Sequence, residues 1–358
     1  MDEMIAFTRG VPPPESFPAV QLAECARSVL QNDAERVLQY GNATGYLPLR
    51  EWIAGEYQIS PGQVLIGQGS LQLLDTLVRV SIIPDDCIFV EQPTYDRALT
   101  IFRRTGARLF GINLKNGVLN LQELEAKLAD GILPRFMYLI PDFQNPSGAL
   151  MPLESRLHLV ELARAHGFCL IEDGPYRRLR YKGQAIPTLF ELAPEQVIHM
   201  SSFSKLISPG LRVGFMLLPP ELILKVSKFA EDTYINSSYL NQAIAFNFIE
   251  RGWLQEQIDF LKDIYKVRLD AILDELRKGF REMGTWVEPE GGFFVGLNLD
   301  AVHELSSKEE IHQAGLVLTD SQGFFVEGGE RFIRLPFCAL TPEQIREGMA
   351  RLHHLLEV

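Results

Sequence analysis

Residues 197–218 read VIHMSSFSKLISPGLRVGFMLL. Two apolar runs, VIHMSS (197–202) and RVGFMLL (212–218), are joined by a short polar loop. A continuous apolar run marks a strand covered on both faces. The loop is too short for a helical crossover, so one of these two strands is expected to run antiparallel. The same loop places Lys205 behind Ser201, Ser202 and Ser204, with Arg212 seven residues on. A solvated surface lysine needs no such company.

Upstream lie five more runs: VLIG (64–67), CIFVE (87–91), RLFGINL (108–114), RFMYLI (135–140) and FCLIED (168–173). Amphipathic stretches at 70–82, 96–105, 121–129 and 153–166 separate several of them. Alternation of this kind predicts an α/β fold, with a large domain built on a mostly parallel seven-stranded sheet between helices. After residue 221 the pattern changes to long helices, about 221–250 and 254–282. The tail, 285–358, mixes TWVEPEGGFFVGLNL, a helical patch near 308–315, RFIRLPF and a last helix from about 342. It reads as a smaller α+β domain. The expected division is 46–262 for the large domain and 1–45 plus 263–358 for the small one.

The 358 residues suffice for a substantial core, and the composition, 46% hydrophobic and 22% charged, is that of a globular chain. A formal net charge of −12 with no run of four basic residues makes a poor general ligand for nucleic acid or a membrane surface. No apolar stretch reaches the roughly 18 residues a spanning helix needs. The N-terminus, MDEMIAFTRG, has no apolar segment of the kind a signal peptide carries. Cys25, Cys87, Cys169 and Cys338 are scattered and form no CxxC, so neither zinc nor dithiol chemistry has support, and no metal is expected. The expected setting is the cytoplasm.

In open α/β sheets ligands sit beyond the carboxyl ends of the strands. After VLIG come Gly69 and Ser70; after CIFVEQP, Tyr95; after RFMYLIPDFQ, Asn145; after FCLIE, Asp173 and Tyr176; after VIHM, Ser202, Ser204 and Lys205. Each has a bland reading. Gly69-Ser70 is equally a helix cap or an anion site. Asn145-Pro146 and Asp173-Gly174-Pro175 are turns by composition, and Arg212 alone is a surface charge. Their common edge is what argues for a site. A lysine at the end of a buried strand, with cations nearby, has a lowered pKa and favours the free amine. Such an amine captures an aldehyde, and the serines and Arg212 would hold a phosphate on the same reagent. Pyridoxal 5′-phosphate fits, with Asp173 as partner of its ring nitrogen.

Seven stretches then occur in order along nearly the whole chain: YGNATGYLPLREWIA, GQGSLQLLD, EQPTYD, PDFQNPSG, IEDGPYRRL, SSFSKLISPGLRVGF and RFIRLPF. In them the chain resembles the class I/II pyridoxal-phosphate aminotransferases of the aspartate-aminotransferase fold (fold type I). FTRGVPPPESFP, QNPSG and EDGPYRRL resemble most the aminoadipate/kynurenine-type enzymes and the effector domains of related transcription regulators. The resemblance implies the following roles. Lys205 is the Schiff-base lysine, Asp173 pairs with the ring nitrogen, and Tyr95 stacks on the ring. Tyr176 and Asn145 bond the ring hydroxyl. Gly69, Ser70, Ser202, Ser204 and Arg212 hold the phosphate, with Leu71 standing where a polar residue is frequent. Tyr40 reaches the phosphate from the neighbouring subunit of a homodimer. Arg334, rather than Arg331, binds the substrate α-carboxylate, beside Asn145 and Gly10. An L-amino acid and a 2-oxo acid, with 2-oxoglutarate/glutamate as one pair, are the implied substrates. DSQGFF (320–325) replaces the usual Pro-Gly and leaves the side-chain lining open.

Lys205 and Asp173 serve every carbanion route, so a β-lyase, a decarboxylase or a cyclising enzyme stays open, as does a non-catalytic regulator-type domain. Gly67-Gln68-Gly69 lacks the third glycine of the dinucleotide fingerprint. His199 reads as a satisfied core residue, His353-His354 as a helix end, and Trp52 and Trp286 as packing. Arg9, beside Gly10, either meets a second acidic group on a substrate or is a surface charge.

Overall fold

The seven apolar runs all form strands; six bury side chains on both faces, while the 108–114 run is half-covered, with Ile112 its one buried residue. A computed structural model describes residues 4–303, 305 and 307–357. Strand β1 (Ile5–Phe7) opens the chain. The large sheet is made by β2 (Val64–Gly67), β3 (Cys87–Gln92), β4 (Arg108–Lys115), β5 (Val118–Leu119), β6 (Phe136–Leu139), β7 (Cys169–Asp173), β8 (Val197–Ser202) and β9 (Gly214–Leu217). Strands β10 (Gly284–Trp286), β11 (Phe294–Leu299), β12 (Leu316–Leu318) and β13 (Phe332–Pro336) follow.

The sheet runs β2-β9-β8-β7-β6-β3-β4-β5. It has eight strands rather than the seven expected. The eighth, β5, is a two-residue return paired antiparallel to β4. Asn116-Gly117 makes the turn, with φ of 52° and 76°, the backbone that an Asn-Gly hairpin favours. From β4 to β8 the order β4-β3-β6-β7-β8 is parallel throughout. Strand β9 is the antiparallel one, paired to both β8 and β2. Its antiparallel sense brings Arg212, just before β9, to the edge where the parallel strands end.

Helices at Ser70–Ser81, Asp96–Arg103, Leu121–Ala129 and Leu153–His166 lie where the periodicity placed them. The long helix expected over 221–250 is two: Pro220–Tyr234 and Tyr239–Glu250. Ile235 takes φ 66°, and Ser238 accepts from Asn241 N to cap the second helix. The run INSS carries that stop signal, since Ser prefers a cap to a helix interior. Helix Trp253–Gly279 runs unbroken through residue 262, where the two domains were divided. A three-stranded antiparallel sheet, β10-β11-β13, and the parallel pair β1·β12 complete the fold.

Two buried clusters flank the large sheet. Leu73, Leu77, Leu99 and Phe102 fill one; Phe89, Met137, Leu170, Val197 and Phe215 belong to the other, which continues into the C-terminal sheet. His199 is a satisfied core residue: Nε2 meets the Tyr57 hydroxyl and Nδ1 meets Glu172 Oε2, both at 2.9 Å. Burial alone would push Glu172 up; His199 and the Leu189 and Phe190 amides more than offset it and hold the carboxyl below its usual range. Cys25, Cys87 and Cys338 are buried and Cys169 half-buried, all four as free thiols. Trp52 and Trp286 pack against the core, and His353 lies edge-on to Phe280. No described helix is long and apolar enough to cross a membrane.

Candidate active site

Strands β2, β3, β6, β7 and β8 point the same way, so Gly69, Tyr95, Asn145, Asp173 and Ser202 all reach one edge of the sheet. Every candidate residue except Tyr40 lines a single cavity of about 410 Å³ there. Tyr40 is 76% exposed and outside it. Arg331 lines a different cavity. Arg9 does line the site.

At one end sits the N-terminus of helix Ser70–Ser81. Its N-cap, Gly69, has no side chain to bind the first amides, so those N–H groups stay available to an anion. Gly69 has φ 91°, and a Cβ there would lie 2.7 Å from Arg212 Nη2. A Cβ on Gly214 would lie 2.6 Å from Ser70 N. Two glycines thus let backbone and guanidinium close on one small volume. Arg212 Nη2 donates to Gln68 O at 2.6 Å. The Ser202 hydroxyl donates to Ser204 Oγ at 2.9 Å and accepts from Ser204 N at 3.1 Å, which fixes both hydroxyls on the cradle. Leu71 is half-buried against the Leu73 cluster, so only its backbone serves this end.

Lys205 ends a 3-10 turn that follows β8 directly. Nζ donates to Gly10 O at 2.8 Å and lies 5.6 Å from the Phe293 ring. Burial lowers its pKa, and Arg212 and Arg334 push the same way. Both effects shift the amine toward the uncharged form that a nucleophile requires.

Asp173 ends β7 and is buried. Burial pushes its carboxyl up to about 6, against the pull of the Tyr138 hydroxyl and His199. Oδ2 accepts from Tyr138 at 2.8 Å, while Oδ1 is buried without a partner. Tyr95 is half-buried, and burial pushes its phenol up to about 12. Tyr176 is buried against Phe293 and Phe294, with ring centroids at 5.3 and 5.8 Å.

Arg334, on β13, is buried. Nη1 donates to Asn145 Oδ1 at 3.1 Å, and Nη2 donates to Thr8 O at 2.5 Å. Its guanidinium lies 4.4 Å from the Phe324 ring and 5.1 Å from Phe294. Nε is buried with no partner. DSQGFF thus supplies Phe324 as a floor beneath the arginine, and Thr94 N binds Phe324 O at 2.8 Å.

A phosphorylated pyridine aldehyde suits these groups. Asp173 Oδ1 is buried with no protein donor, the glycines let helix amides and Arg212 close on one small volume, and the Lys205 amine lines the same cavity. These features fit an enzyme of the aspartate-aminotransferase fold, and with the family match and relatives that follow they make pyridoxal 5′-phosphate its cofactor. Residues 2–352 match the family "Aminotransferase class I and II", and the chain belongs to that family. It is 34% identical over 363 residues to aromatic-amino-acid aminotransferase 1 of Thermococcus litoralis, covering 98% of this chain and 87% of that one. The crystal structure of alpha-aminoadipate aminotransferase from Thermus thermophilus, complexed with N-(5′-phosphopyridoxyl)-L-leucine, superposes with a TM-score of 0.92 at 33% identity, over 99% of this chain and 92% of that one. Kynurenine aminotransferase of Pyrococcus horikoshii gives 0.95 at 31% identity, over 100% and 91%. The chain is a transaminase, moving amino groups between amino and 2-oxo acids.

Several residues of the site escaped the sequence reading. Tyr138 and Glu91, which lie behind the cavity, sit in strands whose apolar runs read as core. A hydroxyl or carboxylate in a strand covered on both faces must find a partner, and that was the available signal. Phe294, Asp96 and Arg97 line the cavity without any motif to announce them.

Proposed function

We propose that Lys205, Asp173 and Arg334 carry the transamination of an L-amino acid against a 2-oxo acid, with glutamate/2-oxoglutarate as one pair. Their convergence on one cavity supports this reading. Bound pyridoxal 5′-phosphate supplies an aldehyde that captures amines and a ring that accepts electrons from the substrate Cα. The helix at Ser70, with Ser202, Ser204 and Arg212, anchors its phosphate. Asp173 holds the ring nitrogen proton through the oxygen that lacks a partner. Tyr95 covers one ring face, and Asn145 and Tyr176 reach the ring hydroxyl.

Arg334 orients the α-carboxylate, for which a fixed guanidinium fork is suited. Lys205 Nζ, whose pKa burial lowers, would take the proton from Cα as base and give it back as acid. Thr8 and Gly10 set their carbonyls against Arg334 and Lys205, so this segment covers the site and limits water.

The same reading keeps the division into 46–262 and 1–45 plus 263–358, a cytoplasmic setting for an acidic chain with four free thiols, and a homodimer. Tyr40, Leu38 and Leu47 expose apolar surface in one short stretch, which a second subunit would cover. Light scattering giving the mass of one chain would count against the dimer.

Lys205→Ala tests the core of the reading. The variant should lose at least about a hundredfold in turnover with every donor, and borohydride treatment of the wild-type holoenzyme should leave the cofactor on the Lys205 peptide. Wild-type turnover, or label on another lysine, would overturn it.

A further inference from the structure

Arg9 and Arg97 line the same cavity, and the roles above use neither. Arg9 stands between Thr8, whose carbonyl holds Arg334, and Gly10, whose carbonyl holds Lys205. Its backbone is therefore pinned between the carboxylate anchor and the reacting amine. Phe294 fills the space a Cβ on Gly10 would need, which fixes the segment further. Arg9 itself is exposed. Arg97 enters on the first turn of helix Asp96–Arg103, and its Nε lies 3.6 Å from Asp96 Oδ2, beyond hydrogen-bond reach.

Charge accounting singles these two out. Arg212 meets the phosphate, Arg334 the α-carboxylate, and Asp173 the ring nitrogen. Among the side chains lining the cavity, Arg9 and Arg97 then remain against Asp96 alone, which leaves a surplus positive charge on its wall. An aliphatic side chain has no use for that surplus and an aromatic ring meets it only through its face; a second carboxylate is matched by the guanidinium fork and the charge together. We propose that Arg9, assisted by Arg97, binds an anionic group at the end of the substrate side chain, so that the preferred amino donors are acidic amino acids. The inference rests on the placement of Lys205 and Arg334 given above.

The test measures kcat/KM of the holoenzyme for glutamate, 2-aminoadipate, leucine and phenylalanine. Wild type should favour the two acidic donors. Arg9→Ala should lower the ratio of acidic donor to leucine by about tenfold, mainly through KM. Arg9→Glu should lower it further, and Arg97→Ala less. Added salt should shrink the wild-type preference, because an exposed pair is screened. Glutarate, a dicarboxylate without an amine, should inhibit wild type competitively and bind Arg9→Ala about tenfold more weakly. A ratio unmoved by Arg9→Glu, or a wild type that prefers phenylalanine or leucine, would overturn the inference while leaving the amino-transfer site intact. A wild type that turned over none of the four would overturn the underlying reading as well.

Discussion

The Tyr138 hydroxyl donates to Asp173 Oδ2 at 2.8 Å, and the other oxygen of that carboxylate is buried without a partner. The two residues come from neighbouring parallel strands, β6 and β7, so their spacing is set by the sheet and not by a loop. One oxygen is held by the protein; the other is presented to a ligand.

Tyr138→Phe should therefore weaken cofactor binding without removing any group that touches the cofactor. The lost bond is a charged one, worth about 2 kcal/mol or roughly thirtyfold in affinity. Its donor favours the ionised carboxyl, so the variant Asp173 titrates above the wild-type value of about 6. An ionised Asp173 is what a ring N–H needs. The defect should thus be largest at acid pH and should shrink as pH rises. Equilibrium dialysis of pyridoxal 5′-phosphate across pH checks this, and a pH-independent defect would count against it.

Arg334→Lys should raise KM for every amino donor. A lysine cannot span Asn145 Oδ1 and Thr8 O together, and it loses the flat contact with Phe324 at 4.4 Å. The expected loss is about a hundredfold in kcat/KM, with kcat changed less. Cofactor retention should be near wild type, because Arg334 lies at the substrate end. A variant that lost cofactor and kept KM would place the arginine elsewhere.

What the sequence made legible follows from how each signal is stored. The strands carrying Asp173 and Ser202, and with them the turn that carries Lys205, were readable because a strand buried on both faces is a local apolar run. Their common edge was readable because parallel strands share a direction. The break at Ile235 and the turn at Asn116-Gly117 are also written locally, in INSS and KNG, but apolar residues at helical spacing continue past the first and the strand after the second has only two residues. The Tyr138–Asp173 bond, the Phe324 floor under Arg334 and the position of Arg9 between two anchoring carbonyls are different. They join residues from ten to more than three hundred positions apart, and no local pattern encodes which strand lies beside which. Only the sheet order brings Tyr138 to Asp173, and only the packing of the N-terminal segment brings Thr8 and Gly10 over the site.

Glu91 gives the last prediction. It lies in β3 and is 3% exposed. One oxygen accepts from Ile140 N at 2.9 Å and from Gln144 Nε2 at 3.2 Å, and the same amide donates to Pro93 O at 2.6 Å. The loop that ends in Tyr95 and the loop that carries Asn145 are thereby tied to one carboxyl. Burial pushes Glu91 up to about 7, against the pull of its two donors. The native state thus holds a proton that the unfolded chain releases near 4.5. Folding stability is fully present below that value and falls as pH rises through about 7, by on the order of 3 kcal/mol. Asp173, pushed up to about 6, drives the same trend in wild type and variant alike, so the difference between them isolates Glu91. In Glu91→Gln the melting temperature of the apoprotein should fall less between about pH 5 and about pH 8 than in wild type, by roughly a few degrees. Glu91→Ala should be destabilised at every pH, because it leaves the Ile140 amide buried and unpaired. Parallel melting curves for wild type and Glu91→Gln would show that this carboxyl does not titrate in the window its burial implies.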